Sequence, residues 1–341
     1  MIQSEIIYLV QKFRPDLEGT SKEVDTLRRH FKSKVHDLHL SKINNFKIKK
    51  NLLSYHFLFY PLYAPFLYLA TRLKIIHIYT TLRDRPYLPL FSGPRTVLTS
   101  TNYFTASRLH SWRRYLRKVQ KIVVESPLQT KELLRLGLPE KQIDIIYPSV
   151  DLNAFSYQKP EGKFKILNAS CPSRVSDLEK RGIFLLMEAD SQLTDTTIDV
   201  LWRIGEYQKF RQMTKGKEFN CLRVQEHIAE NMNEIYAAHH CTIIPYTQFD
   251  ELLKLIPNSA MESLAAGKPI LVSSQTGIAE IVKKEHCGIV FEPTTEKLLE
   301  AIQTLKKNYS EYQQNCRKTA EKYFSQEEFL KKYEQIYSQI Q

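Results

Sequence analysis

The sequence predicts an α/β protein with two doubly wound, Rossmann-like domains. Short continuous apolar runs, typical of strands buried on both faces of a parallel sheet, alternate with helical patterns. The alternation stops once, in the polar and proline-containing stretch 148–163, and then resumes. A length of 341 residues suits two such domains. Because ligands of these folds bind at the carboxyl ends of the strands, we expect the site in a cleft that both domains face.

The first part of the chain contains six apolar runs that we interpret as strands. They are Ile6–Val10, Val35–Leu40, Ile75–Tyr79, Thr96–Thr99, Ile122–Glu125 and Ile143–Tyr147. Gly19 is expected in a turn, with Thr20 or Ser21 capping the helix that follows. The apolar stretch 52–71 approaches the length of a membrane span, but Pro61 and Pro65 interrupt it. A buried helix pair or an interfacial segment is therefore favoured over a span.

Six further strand candidates follow the polar stretch. They are Lys165–Ala169, Asp199–Ile204, Asn220–Val224, Thr242–Pro245, Pro269–Ser273 and Gly288–Phe291, with helices predicted at 182–192, 229–238, 258–266 and 278–284. The C-terminus has an amphipathic pattern with Ser325 as its N-cap. We predict one Rossmann-like domain at 1–155, a second at 163–320, and a terminal helix at 321–341 that packs back toward the first domain.

The charge of the chain is unevenly distributed. The net charge is +12, and residues 1–150 hold 25 Lys and Arg against 11 Asp and Glu. Such asymmetry indicates an anionic partner for the first half, either a phospholipid surface, a phosphorylated acceptor or nucleic acid, although a solvated basic surface is the alternative. The five cysteines are an odd number without CxxC spacing, which favours a reduced cytoplasmic setting and no zinc site.

The segment from Pro257 to Val282 carries the clearest chemistry. Pro257, Asn258 and Ser259 begin a helix whose first-turn N–H groups can bind an anion. Glu262 lies one turn further, within reach of the vicinal hydroxyls of a sugar. Gly277 precedes a second predicted helix start with Glu280 in its first turn, so a diphosphate could bind between two helix N-termini.

This segment resembles the retaining glycosyltransferases of family 4, which have the GT-B fold. The pattern of that family is E-x7-E followed by A-x-G-x-P and G-x-x-E, and Glu262, the AAGKP stretch and the Gly277–Glu280 pair match it. The resemblance implies that Glu262 binds the ribose of the donor. Lys254 stands at the position of the first glutamate, which the family uses near the hydroxyls of the donor sugar.

The resemblance extends to loops in both halves of the chain. In the loop after the first strand of the second domain, Arg174 matches the arginine of the family, and Lys180 or Arg181 matches its lysine. These residues imply binding of the donor diphosphate. Gly19 alone remains of a glycine-rich acceptor loop and is expected near a phosphate. Ser100-Thr101-Asn102 stands where the family often has a histidine, and His110 is the replacement candidate.

A basic segment at 107–121 completes the candidate sites. Drawn as one helix, it carries Trp112 on an apolar face and arginines around the rest. The residues assigned to the acceptor or membrane side are His110, Trp112, Arg113, Arg114 and Arg117. This composition suits a membrane interface or an acceptor bearing phosphate. A packed helix with a solvated basic face is the alternative.

The resemblance implies a retaining hexosyltransferase in which the departing diphosphate helps to take the acceptor proton. It also implies that the domain at 1–155 binds the acceptor and that the domain at 163–320 binds the nucleotide sugar. The donor is expected to be a UDP- or GDP-linked sugar, with no cofactor and no metal, because no DxD motif is found. We expect a glycan, lipid-linked or phosphorylated acceptor, no nucleic acid partner, and action in the cytoplasm or at the inner face of a membrane, in polysaccharide or glycolipid biosynthesis. Lys254 and the missing histidine leave open a non-catalytic GT-B module that binds a ligand or partner.

Overall fold

The chain divides into two compact units in a computed structural model. The residues that the model describes are 5–10, 13–15, 18–39, 47–49, 52–56, 60–80, 87–170, 172–202, 205–226, 229–251 and 253–340. Unit 1 comprises Met1–Pro148, Glu251–Leu255 and Glu327–Gln341, and unit 2 comprises Ser149–Asp250 and Ile256–Gln326. The short segment Glu251–Leu255, which sequence analysis assigned to the second domain, therefore belongs to unit 1.

The described part of unit 1 is built on an eight-stranded sheet in the order β3-β4-β2-β1-β5-β6-β7-β8. Its strands are β1 (Ile6–Val10), β2 (Ser33–His39), β3 (Lys47–Lys49), β4 (Leu52–His56), β5 (Ile75–Thr80), β6 (Thr96–Ser100), β7 (Lys121–Val124) and β8 (Ile143–Ile145). Neighbouring strands are parallel, except that β3 runs antiparallel to β4. The parallel core of the sheet agrees with the continuous apolar runs of the sequence.

Helices cover both faces of this sheet. They are α1 (Gly19–His30), α2 (Tyr60–Thr71), α3 (Tyr87–Phe91), α4 (Ala106–Leu109), α5 (Arg113–Leu116), α6 (Pro127–Arg135) and, at the C-terminus, α14 (Gln326–Ser338). Ile7 and Leu9 point to a core shared with α2 to α6. The alternate residues Ile6 and Tyr8 point to a second core formed with α1 and with buried α14 side chains, Phe329, Tyr333, Ile336 and Tyr337.

Three local predictions for unit 1 are wrong. Residues 52–71 are not a helix pair, because Leu52–His56 pairs in parallel with β2 before α2 begins. The 107–121 segment is not one helix: a 3₁₀ turn at His110–Trp112 separates α4 from α5, and β7 already begins at Lys121. Gly19 is the first residue of α1 and not part of a turn, and the N-cap is Glu18. The hydroxyl of Ser21 instead accepts a hydrogen bond from the amide of Arg14 at 3.0 Å.

Unit 2 has a six-stranded, fully parallel sheet among its described residues, in the order β11-β10-β9-β12-β13-β14. The strands are β9 (Phe164–Asn168), β10 (Thr196–Trp202), β11 (Leu222–Glu226), β12 (Cys241–Ile244), β13 (Ile270–Ser273) and β14 (Gly288–Phe291). The helices are α7 (Ile183–Ala189), α8 (Tyr207–Met213), α9 (Met232–Ala237), α10 (Asn258–Ala265), α11 (Ala279–Glu285), α12 (Thr295–Lys307) and α13 (Tyr309–Phe324). The predicted class, α/β with two doubly wound sheets, is confirmed.

Two further properties bear on the setting of the protein. In the described part of the chain, no helix combines the length and apolarity needed to cross a bilayer. Four cysteines, namely Cys221, Cys241, Cys287 and Cys316, are buried free thiols, whereas Cys171 lies outside the described residues.

Candidate functional site

The order of the strands in unit 2 reverses between β9 and β12. Ligands of open parallel sheets bind beside such a reversal, at the carboxyl ends of the strands. Asn168 ends β9 and fixes the two strands at this edge, since its amide Nδ2 donates to the carbonyl of Ile243 in β12 at 3.2 Å. The chain leaves β9 through the loop 169–182, which contains the predicted arginines. The candidate site of unit 2 is built at this reversal.

Side chains from the loop after β9 meet the start of α10. The hydroxyls of Ser170 and Ser259 lie 2.5 Å apart and share a hydrogen bond. Arg181 donates from Nη1 to the carbonyl of Ser170 at 2.8 Å, and its guanidinium carbon lies 5.9 Å from the centroid of the Tyr246 ring. This contact to Ser170 uses one of the five N–H donors of the guanidinium. A fixed cation therefore lies beside the first turn of α10.

Glu262 is buried on the same helix and is oriented by a tyrosine. Its Oε2 accepts a hydrogen bond from the hydroxyl of Tyr236 at 3.0 Å, and 8% of the residue is exposed. Tyr236 is itself fully buried in α9, where its ring packs edge-on against Phe155 at 5.8 Å. A buried carboxylate held in this way is a preorganised acceptor for hydroxyl groups.

The predicted cations of the loop have different environments. Lys180 is largely enclosed, and its Nζ lies 3.0 Å from Asp177 and 3.4 Å from Asp250. Arg174 is exposed. A hydrogen bond from Lys209 is the main cause of the lowered pKa of Glu206, and the charge of Arg174 adds a smaller contribution. Of the three cations, Arg181 is the one that contacts Ser170. The structure therefore brings Arg181, Ser259 and Glu262 to one place and leaves Arg174 at the surface of the loop.

Gly182 has a backbone that other residues adopt only under strain. Its φ is 72°, and a Cβ atom there would lie 1.8 Å from the carbonyl oxygen of Pro245. Glycine lets the loop pass against the end of β12 and serve as the N-cap of α7, which begins at Ile183. The position of the guanidinium thus depends on the missing side chain of its neighbour.

The first turn of α10 has no side-chain cap among the described residues, because Pro257 occupies the N-cap position. Such a helix start favours negative charge. Asn258 is half-buried and Ser259 is buried there. Gly277 is buried in the turn before α11, whereas Glu280 lies in the first turn of α11 and is exposed.

The AAGKP stretch that follows Glu262 has a structural explanation of its own. Gly267 has a φ of 69° and lies against the ring of Tyr157. Lys268 is buried, and its Nζ donates to the carbonyl of Gln158 at 2.6 Å. Arg317 of α13 donates to the carbonyl of Ala265 at 2.8 Å. These contacts hold the C-terminal end of α10, and with it Glu262, in a fixed position.

Unit 1 has a second cluster of charges at the carboxyl ends of its strands. Its strand order reverses between β1 and β5. There the Nζ of Lys254 is hydrogen-bonded to Glu23 of α1 and lies 3.6 Å from Glu125, which directly follows β7. The hydroxyl of Tyr79 also donates to Glu23. Both glutamates are almost completely buried.

The burial of this cluster changes its protonation. Burial by itself acts to lower the pKa of Lys254, but Glu125 and Glu23 outweigh it, so the pKa of Lys254 lies above its ordinary value. Burial raises the pKa of Glu125 well above its ordinary range, and the nearby Glu23 adds to the rise. Lys254 is therefore a protonated counter-ion to buried carboxyl groups of unit 1.

The segment that carries Lys254 is also held through its backbone. Lys254 forms an antiparallel bridge with Asn102, and the amide of Leu255 donates to the carbonyl of Thr101 at 3.1 Å. The side-chain amide of Asn102 donates to the carbonyl of Leu253 at 3.0 Å. The stretch Ser100-Thr101-Asn102, where the resembled family often has a histidine, thus binds the segment 253–255 in this chain.

Two of the five predicted acceptor residues of unit 1, His110 and Arg113, line a separate open cleft of about 610 Å³. Its lining includes His110, Arg113, Arg135 and Gly137. Arg135 is paired with Glu132 at 2.5 Å, and Arg117 donates to the carbonyl of Gly137 at 3.1 Å. Trp112 and the exposed Arg114 lie on the same helical segment, where each contacts Tyr115. Gly19 is remote in sequence from this cleft and begins α1, which carries Glu23 one turn later.

Tyr236, Ser170 and Tyr246 were not among the residues predicted from the sequence. Tyr236 and Glu262 are separated by 26 residues in sequence and Ser170 and Ser259 by 89. A short sequence motif cannot indicate contacts between residues so far apart in the chain. Strand ends were the available signal, since Ser170 follows β9 and Tyr246 follows β12 closely.

Known proteins match this chain in two ways, through a family model over part of its sequence and through solved structures with the same fold. Residues 169–308 match the family model described as Glycosyl transferases group 1. A search of curated protein sequences gives no match. Solved structures share the fold: a glycosyltransferase from Rickettsia africae has a TM-score of 0.78 at 15% identity, covering 99% of both chains.

Two other solved structures are similar over nearly the whole chain. The sucrose-phosphate synthase of Thermosynechococcus elongatus has a TM-score of 0.77 at 14% identity, over 98% of this chain and 99% of that one. The HepE protein of Anabaena, solved in complex with UDP-glucose, has a TM-score of 0.77 at 15% identity, over 99% of this chain and all of that one. The protein therefore has the GT-B fold, and the fold and the family match together support a glycosyltransferase.

Proposed function

We propose that the protein transfers a hexosyl group from a nucleotide diphosphate sugar to an acceptor, with retention of the anomeric configuration. The observation that carries the proposal is the convergence of Arg181, Ser259 and the tyrosine-oriented Glu262 at the strand reversal of unit 2. The match of residues 169–308 to group 1 glycosyltransferases supports it. Related folds are solved with UDP and UDP-glucose, which favours a UDP-linked donor.

Each residue has a role in this proposal. Arg181 and the first turn of α10 bind the diphosphate, and Arg174 approaches it from the exposed side of the loop. Glu262 accepts hydrogen bonds from the ribose hydroxyls, and Tyr236 is a positioning residue for that carboxylate. The bond between the anomeric carbon and the diphosphate oxygen breaks with its electron pair going to the diphosphate, while the acceptor oxygen bonds to the same face of the carbon. The acceptor proton goes to the departing diphosphate, whose charge Arg181 stabilises without a metal.

The acceptor in this proposal is anionic and binds to unit 1. The open cleft with His110, Arg113 and Arg135 supplies cations for it. The excess of basic residues in the first half would draw such an acceptor to this unit. The free thiols of the described cysteines agree with a cytoplasmic setting.

The test is the release of nucleoside diphosphate from a panel of UDP- and GDP-linked sugars. We expect wild type to turn over one donor, slowly with water and faster with acceptor, and Glu262→Ala to lower kcat/KM by roughly a hundredfold through lost ribose contacts. Glu296→Ala, an exposed glutamate of α12, is the matched control and should behave as wild type. NMR of the first product formed reports the anomeric configuration. Inversion would contradict the proposed retention.

A specific observation favours the second candidate, a non-catalytic GT-B module that binds a ligand. Lys254 stands where the resembled family has a glutamate, and it is bound to Glu23 inside unit 1. If wild type binds a nucleotide sugar but releases no nucleoside diphosphate with or without acceptors, the binding module is the correct function. If wild type binds no nucleotide sugar, neither a glycosyltransferase nor a module that binds nucleotide sugars is the correct function.

A further inference from the structure

A histidine just after α9 connects that helix to the sheet of unit 2. The side chain of His239 is 9% exposed. Its Nδ1 lies 2.6 Å from the carbonyl oxygen of Ile235 in α9, and its Nε2 lies 3.0 Å from Oδ2 of Asp199 in β10. Because a carbonyl oxygen can only accept, Nδ1 donates to Ile235, and the contact at Nε2 needs a second proton, carried by the ring or by the carboxyl group. His239 therefore fastens the C-terminal end of α9 to β10.

The helix α9 depends on such contacts because it is short. It comprises six residues, Met232–Ala237, and so short a helix is not stable through its backbone hydrogen bonds alone. At its N-terminus the side chain of Asn231 is the cap. At its C-terminal end Lys268 donates to the carbonyl of Ala237 at 3.3 Å, next to the bond from His239. The position of α9 is thus set by side chains that bind its two ends.

The same helix carries the side chain that orients the glutamate of the candidate site. Tyr236 stands three residues before His239, and its hydroxyl donates to Oε2 of Glu262 at 3.0 Å. The hydroxyl also lies 3.3 Å from the carbonyl oxygen of Ser259. The ring of Tyr236 shares a core with Leu201 of β10. A shift of α9 along the sheet would therefore move the Tyr236 hydroxyl away from Glu262.

The carboxyl group of Asp199 serves His239 alone in the described part of the chain. Its other oxygen, Oδ1, is buried there without a hydrogen-bond partner. A buried pair of ionisable side chains adds little stability compared with apolar side chains of similar volume. A hydrogen-bonded pair, however, fixes the orientation of the imidazole, which an apolar pair does not. The pair between His239 and Asp199 is therefore better suited to positioning α9 than to stabilising unit 2.

From these contacts we propose that His239 and Asp199 are positioning residues for donor binding. By fixing the end of α9 on β10, they hold Tyr236 against Glu262, so that the carboxylate is oriented before the donor binds. This assignment rests on the proposed function, because it concerns the same donor site. Neither residue is among those proposed to contact the donor.

The experiment is calorimetric titration with UDP and with GDP. We expect His239→Leu and Asp199→Leu each to weaken the binding of the nucleotide that wild type binds by roughly tenfold, about the effect of one oriented hydrogen bond to the ribose. Asp199→Asn should retain most of the affinity, because an amide can donate to Nε2 while Nδ1 still donates to Ile235. His240→Leu is the matched control and should bind as wild type does, since this imidazole accepts from the amide of Lys165 in β9 at 3.1 Å.

A double-mutant cycle tests whether the effect passes through the tyrosine. Tyr236→Phe removes the hydroxyl that contacts Glu262, so adding His239→Leu to it should weaken nucleotide binding no further. Circular dichroism at the temperature of the titration establishes that each variant is folded.

Four outcomes would overturn the proposal. They are unchanged nucleotide binding by His239→Leu, additive losses from His239→Leu and Tyr236→Phe, equal losses in Asp199→Asn and Asp199→Leu, and a loss in His240→Leu as large as that in His239→Leu. The last two would indicate a general loss of stability in unit 2. If wild type binds neither nucleotide, the proposed function fails and the positioning roles fail with it. If wild type binds and the variants bind equally well, only the positioning roles are wrong.

Discussion

Lys254 shows how one residue can change the interpretation of a motif. In sequence it stands eight residues before Glu262, at a position where the resembled family binds the donor sugar. In the structure its ammonium group is hydrogen-bonded to Glu23, 231 residues away in sequence, and lies 3.6 Å from the carboxyl of Glu125. The charge at this position therefore serves the interior of unit 1.

Replacement of Lys254 by methionine should destabilise unit 1. The change leaves the buried carboxylate of Glu23 without its cation, and removal of one partner of a buried pair costs about 3–5 kcal/mol. The measurement is urea unfolding followed by the fluorescence of Trp112, in a Trp202→Phe background, because the chain contains two tryptophans.

Glu251→Gln is the control for Lys254→Met on the same segment. It removes the pair with Arg108, whose side chain is 55% exposed, so the loss should stay below about 1 kcal/mol. Glu23→Gln added to Lys254→Met should recover part of the stability, because one uncompensated carboxylate disappears. An equal loss in Lys254→Met and Glu251→Gln would show that Lys254 is not a buried counter-ion.

His77 should make the stability of unit 1 depend on acidity. It is fully buried between Tyr337 at 2.7 Å and Thr99 at 2.8 Å, and burial lowers its pKa from 6.5 to about 3. Below pH 6.5 the imidazole of His77 binds a proton in the unfolded chain, whereas in the folded chain it binds one only near pH 3. The free energy of unfolding is therefore highest above pH 6.5 and falls as the pH decreases through this window.

The measurement compares wild type with His77→Gln at two pH values. Between pH 6.5 and 5 the contribution of His77 amounts to about 2 kcal/mol. His77→Gln is expected to be less stable than wild type at pH 7 because its hydrogen bonds are perturbed, but its stability should fall by about 2 kcal/mol less on acidification. Identical losses in the two proteins would mean that His77 is not the group responsible.

Among the elements of unit 2, the loop that joins β9 to α7 carries the arginines proposed to bind the donor. Gly182→Ala would place a Cβ atom 1.8 Å from the Pro245 carbonyl at a φ of 72°. We expect a loss of about 3 kcal/mol or more in the stability of unit 2, since backbone must shift in addition to the strain. Trp202 fluorescence in a Trp112→Phe background reports it.

Gly216→Ala is the control that distinguishes backbone strain at a positive φ from a steric clash of the added Cβ atom. Gly216 also has a positive φ, of 81°, but nothing lies within 4 Å of its missing Cβ. Its substitution should cost only the left-handed strain of about 1–2 kcal/mol. If Gly182→Ala were no more destabilising than Gly216→Ala, the close approach at Pro245 would not constrain the loop.

Strands and helices were predictable from the sequence where a segment has a single hydrophobic pattern. They were not predictable where a strand continues into a helix without a polar break. The parallel strands were recognised because each is a continuous apolar run between helical patterns. Leu52–His56 was missed because its apolar residues continue into α2 without a polar break, so composition does not separate strand from helix there. For the candidate site, the motif predicted Glu262 and Ser259, whereas Tyr236 is brought to Glu262 only by the packing of α9.

At the scale of the whole molecule, the two units differ in charge and in the chemistry they display. Residues 1–150 carry the entire positive excess, and residues 151–341 hold 24 Lys and Arg against 26 Asp and Glu. Unit 2 contains the anchored arginine and glutamate proposed for the donor, whereas unit 1 contains the cationic cleft proposed for the acceptor.

Binding of a nucleotide sugar by unit 2 through Arg181 is tested most directly by calorimetric titration of UDP and GDP. We predict that one of them binds with one equivalent per chain, and that Arg181→Met weakens it by roughly tenfold to a hundredfold through loss of charged hydrogen bonds to the diphosphate. Arg211→Met, an exposed arginine of α8, should bind as wild type does. Binding of neither nucleotide by wild type, or unchanged binding by Arg181→Met, would contradict the claim.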